Sequence, residues 1–100
     1  MPNASFFSKS GIGASAVQLT VTPTVIGYGC LIKADSTNSG IVRVSNSASV
    51  TLNTVDATDG WELPAGAGVF LDAADIPNGD VANIYVIGSA SGQRVCVKAR

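Results

Sequence analysis

Nucleophiles are plentiful in this chain and general bases are not. Serines recur throughout, but the sequence contains no histidine to take a proton from a hydroxyl. Neither Lys33 nor Lys98 stands in a recognisable Ser-Lys arrangement. Cys30 and Cys96 lack a histidine partner for the same reason. Carboxylate-pair hydrolysis would need convergence of two groups from Asp35, Asp56, Asp59, Glu62, Asp72, Asp75 and Asp80. Most of these lie in turn sequences, where Asp bonds its local backbone. No catalytic residue and no enzyme activity are assigned. Asp72, Asp75, Asn78 and Asp80 place oxygen ligands close together in sequence. Calcium takes about six to eight oxygens, but this spacing matches no EF-hand loop. The segment reads as a solvated turn, so no metal ligand and no cofactor are assigned.

What remains is recognition by aromatic side chains. Phe6 and Phe7 sit at the middle of a Ser/Gly/Ala-rich stretch and are the candidate anchors of an N-terminal arm. Trp61, in a Gly/Pro-bounded loop, and Tyr28 and Tyr85 are candidate surface contacts. Aromatics at the ends of β strands stack on sugars, cap a core or meet another subunit, and packing or a subunit contact is the preferred reading.

Composition narrows the partner. Charged residues make up 13 % of the chain and the net charge is −1, against roughly a quarter charged in an ordinary globular domain. Such a surface is weakly protected against association. Lys9, Lys33, Arg43, Arg94, Lys98 and Arg100 form no run, so the sequence gives no nucleic-acid footprint. No apolar stretch approaches the ~20 residues of a spanning helix, and no basic-then-apolar leader opens the chain. The expectation is synthesis in a cytoplasm, no membrane contact and no small-molecule substrate. Alternation sets Cys30 beside Ile32 and Ala34 on an inner face. It sets Cys96 beside Arg94 and Lys98 on an outer one. The thiols are therefore expected to stay unpaired.

The elements that must carry these residues have period two. Residues 16–22 set Val17, Leu19 and Val21 against Gln18, Thr20 and Thr22. Residues 25–34, 40–44, 50–55, 61–63, 68–71, 83–87 and 94–99 complete about eight short strands, with turn signals at intervals of roughly 8–12 residues. A single helical turn is the most that 72–75 supports. The fold class is all-β: an antiparallel, jelly-roll-like β-sandwich over residues 17–100, preceded by an arm over 1–16. On this division, deleting residues 2–12 leaves the sandwich folded and weakens assembly alone.

Four stretches in order carry a resemblance: Gly29-Cys30-Leu31-Ile32-Lys33-Ala34, Asn38-Ser39-Gly40-Ile41-Val42-Arg43-Val44, Gly60-Trp61-Glu62-Leu63-Pro64-Ala65-Gly66, and 83–93 with Ile84-Tyr85-Val86-Ile87-Gly88 at its centre. Over residues 27–99 this pattern of strands and turns resembles small virion proteins of tailed bacteriophages. These occur as capsid decoration (cement) proteins and as modules of fibre and tail proteins. The resemblance implies a β module that binds the outside of an expanded capsid. Its partner would be the major capsid protein and its location the virion; the low charge, Ala/Ser-rich surface and thin core of the chain add the expectation of a homotrimer. The alternative is a receptor- or glycan-binding module at a tail or fibre tip, with Trp61 at its contact.

Overall fold

The computed structural model describes residues 5–52 and 60–100. Among the described residues eight strands run β1 (Ser5–Ile12), β2 (Val17–Gln18), β3 (Gly29–Ala34), β4 (Val42–Ser45), β5 (Trp61–Leu63), β6 (Gly68–Asp72), β7 (Tyr85–Gly88) and β8 (Gln93–Ala99). They form two four-stranded antiparallel sheets, ordered β1-β8-β3-β6 and β2-β7-β4-β5. The pairings β1 with β8, β2 with β7, β3 with β6 and β4 with β5 are those of one long hairpin, rolled so that successive pairs alternate between sheets. β3 with β8 and β4 with β7 close the two layers. This is the jelly-roll order, so the all-β sandwich read from the sequence is the fold.

The core between the sheets is aliphatic. Ile12, Leu19, Ile32, Leu63, Ile84 and Val86 are among its fully enclosed members. Each such side chain contributes about 1.5–3 kcal/mol by leaving water. No aromatic residue belongs to the buried set; Phe7 alone packs partly against it. The alternation in β8 is strict: Val95, Val97 and Ala99 face in, while Arg94, Cys96 and Lys98 face out. Cys30 is buried and Cys96 exposed, both as free thiols. Desolvation pushes the Cys30 thiol up to about 11, and Cys96 is the accessible sulfur.

Four expectations change. Residues 5–12 are not a separate arm. They form edge strand β1 against β8, and Ile12 at its end is fully buried. In the 16–22 segment only Val17 and Gln18 join a ladder; Leu19 is buried but Val21 points to solvent. The 25–34 strand begins at Gly29, with Val25 held only by a bridge to Asp80. Of the expected 50–55 strand, residues 53–55 lie outside the described residues, and Val50 is buried without belonging to a strand.

Polar side chains stitch the loops to the frame. Gln93 is buried at the start of β8. Its Oε1 accepts the Gly40 N–H at 2.8 Å, and its Nε2 donates to the Ser91 carbonyl at 2.9 Å and to Ser39 Oγ at 3.1 Å. Asn38 extends that seam: its side chain donates to the Arg94 carbonyl and accepts the Arg94 N–H. Asp35 accepts the Thr37 N–H and hydroxyl, which lowers its pKa; Arg94 lies 4.0 Å away. On the second sheet Arg43 is buried. It donates to the Thr51 carbonyl and pairs with Glu62 at 3.2 Å. A buried arginine so held is read first as structural.

Candidate docking face

Val21, Val25 and Trp61 are exposed elsewhere, but a contiguous set of exposed apolar and cationic side chains lies on the outer face of the first sheet. The registers align Phe6 with Lys98, Lys98 with Leu31 and Leu31 with Phe70. One row of outward side chains thus crosses all four strands. Phe6 is 75 % exposed, Phe70 59 % and Leu31 43 %. Lys98 Nζ lies 5.9 Å from the Phe6 ring centroid. The next outward row holds Ser8, Cys96, Lys33 and Gly68.

Glycine shapes the far end of this face. Gly29 lies beside Phe70, and a Cβ there would fall 2.2 Å from Phe70 Cζ and 2.8 Å from the Leu71 carbonyl oxygen. Lacking one, Gly29 lets the Phe70 ring lie down against the backbone of β3. Arg100 extends the β8 ladder, exchanging backbone hydrogen bonds with Gly29 at 3.0 and 3.1 Å. Its guanidinium stands 5.8 Å from the Tyr28 ring centroid. Tyr28, Gly29, Leu31, Phe70, Lys98 and Arg100 enclose a shallow cleft of about 240 Å³. Cations within about 6 Å of aromatic rings are attracted by the ring quadrupoles. These contacts hold Lys98 and Arg100 at the rim.

The structure redistributes the aromatics singled out from the sequence. Phe6 and Phe7 do not act as a pair. Successive strand residues face opposite ways, so Phe6 joins the outer row while Phe7 packs against the core. Tyr28 joins the face. Trp61 and Tyr85 do not: they belong to β5 and β7 of the other sheet. Trp61 is 62 % exposed on an edge strand, and Tyr85 is half-buried between Gln18 and Ser45. Leu31 and Phe70 were hidden inside apolar runs in the sequence. Only the alternation of β3 with Lys33 hinted that Leu31 faces out.

The calcium-like cluster is a set of turns. Ala73–Asp75, Pro77–Gly79 and Val81–Asn83 are successive 3-10 turns. Asp80 Oδ1 accepts the Thr24 N–H at 2.8 Å and the Ala82 N–H at 2.9 Å. The carboxylate thus caps the last turn and ties down the β2–β3 connection. Among the described residues no three acidic or cysteine side chains converge as metal ligands. Nor does any described helix have the length and apolarity to cross a membrane. A larger opening of about 850 Å³ lies at one end of the sandwich, lined by Val50, Gly60, Leu71 and Ile76 among others. It adjoins residues outside the described set and carries no assignment. Comparison with known proteins returned no matching family model, no matching curated protein and no matching solved structure.

Proposed function

We propose that this chain is a capsid decoration protein of a tailed bacteriophage. It docks on the outside of the expanded shell as a homotrimer and stabilises contacts between major capsid subunits. The observation that carries this reading is the exposed row of Phe6, Lys98, Leu31 and Phe70 across the whole first sheet. A domain of this size with an aliphatic core and four of its six aromatics exposed suits the covering of another surface. The resemblance over residues 27–99 to small phage virion proteins supports a capsid as that surface. The jelly-roll order serves capsid and lectin domains alike, so the fold leaves the choice to the face. Each copy would bury apolar side chains against the shell, and copies joined around a three-fold position would gain by multivalency.

Co-sedimentation with expanded shells that lack the protein tests this. Saturable binding is expected, with electron cryomicroscopy showing added density on the shell exterior at three-fold and quasi-three-fold positions. A protein left in the supernatant at micromolar concentration would sink the reading. The exposed edge position of Trp61 favours a second reading, a glycan- or receptor-binding module at a tail or fibre tip. Binding to host envelope glycans that is lost on Trp61→Ala would establish it instead.

A further inference from the structure

We propose that the outer face of the first sheet docks an acidic segment of a partner protein. One apolar side chain of that segment enters the cleft between Tyr28 and Phe70, and its carboxylates meet Lys98 and Arg100. Where the partner is the capsid shell, the inference rests on the decoration reading; the site and its chemistry do not.

Charge distribution selects the occupant. Arg94 and Lys98 project from the outer side of β8, and Lys33 from the outer side of β3. Arg100 continues the β8 ladder and stands over Tyr28. On the same face Asp72 is the acidic residue of the ladder, at the β6 end opposite Gly29. Asp35 lies off the strand, next to Arg94. The remaining described acids lie elsewhere: Glu62 beside Arg43 on the second sheet, and Asp75 and Asp80 in the turn segment. A chain of net charge −1 thus presents a cationic, apolar face.

Other occupants fit less well. A second copy meeting this face by two-fold symmetry would bring two cationic faces together, a like-charge contact. A sugar needs several acceptors as well as donors, and among the cleft side chains Tyr28, Leu31, Phe70, Lys98 and Arg100 the Tyr28 hydroxyl is the sole acceptor. Phe6 and Phe70 stand three strands apart, roughly 14 Å at the usual strand spacing. Neighbouring bases spaced at about 3.4 Å along a strand would not bridge them. An interface with an apolar centre and a charged rim suits the arrangement. The free edge of β1 is a poorer site for strand addition. Lys9 turns toward the core side opposite Val95, and the register breaks between Lys9 and Ile12 around Gly11, at φ +68°. Inward charge and bulges are devices that block edge pairing.

The test titrates the isotope-labelled full chain with four probes: a glutamate-leucine alternating peptide, its glutamine-leucine counterpart, an oligogalacturonate and an oligothymidylate. The acidic peptide is expected to shift the amides of Tyr28, Leu31, Phe70 and Lys98, and to bind at least about tenfold tighter than the glutamine peptide. Phe70→Ala and Lys98→Glu should each weaken it about tenfold or more, and Trp61→Ser should not. Each variant is first checked for a native-like spectrum, and Phe70→Leu replaces Phe70→Ala if the latter fails to fold. Shifts confined to another surface, equal affinity for the glutamine peptide, or a response to sugar or oligonucleotide alone overturns the proposal. So do concentration-dependent shifts of these amides without any probe, which would mean a second copy covers them. Shell binding separates the two readings. If shells bind Phe70→Ala and Lys98→Glu as well as wild type, the docking face is wrong and the decoration role stands. If the wild-type chain does not bind shells while the acidic peptide maps to the face, the docking face stands and the decoration role falls.

Discussion

Deleting residues 2–12 is expected to unfold the domain rather than trim it. β1 contributes a full antiparallel ladder with β8, from Ser5 opposite Ala99 to Ile12 opposite Gln93. It also contributes fully buried Ile12 and the packing of Phe7. Loss of a core isoleucine alone costs about 2–5 kcal/mol. Removal of β1 also turns β8, now a central strand, into an exposed edge. A domain of this size has about 5–15 kcal/mol in total, so little or nothing remains. The truncated chain should show no cooperative thermal transition by circular dichroism. A truncated protein that melts cooperatively within a few degrees of the full chain would show β1 to be an appendage after all.

The second large effect is expected at Gln93. Its side chain is nearly the volume of leucine, so Gln93→Leu keeps the packing and removes three hydrogen bonds to Gly40, Ser91 and Ser39. The Gly40 N–H then loses its acceptor in a part-buried seam. An orphaned donor costs about 1–3 kcal/mol, and the other two bonds add to it, for about 2–4 kcal/mol together. In a domain of this length the melting temperature should fall by about 10 °C or more. Gln93→Glu should also destabilise, because a carboxylate keeps the acceptor for Gly40 but loses both donors. A melting temperature within about 2 °C of wild type for Gln93→Leu would refute the seam's importance.

The parts of the fold that were legible in the sequence are those with a local signal. In 94–99, charged or thiol side chains alternate with valines, so β8 and the opposite facing of Cys30 and Cys96 follow from one segment at a time. β1 was not legible. Its core-facing positions include Lys9, its two phenylalanines are adjacent, and its partner lies at the other end of the sequence. The docking row was illegible for a related reason. In Gly68-Val69-Phe70-Leu71 every residue is apolar or glycine, so no pattern says which side faces water. Phe6, Lys98, Leu31 and Phe70 become neighbours only through the registers of strands far apart in the chain. Of the aromatics that stood out by type, Phe6 and Tyr28 joined the face, whereas Trp61 and Tyr85 went to the other sheet.

The rolled-hairpin pairing also imposes an order in time. Closing a loop costs entropy that grows with its length. β4 with β5 is the nearest pair, and each completed pair shortens the effective loop for the next. Formation should therefore run outward through β3 with β6 and β2 with β7. β1 must wait for β8, which is made after every other described strand. Until then β8 offers a free edge, and a β1 from another molecule fits it as well as the chain's own. Crowded copies are thereby open to strand exchange, and native-state amide exchange should find the β1 ladder the first to open.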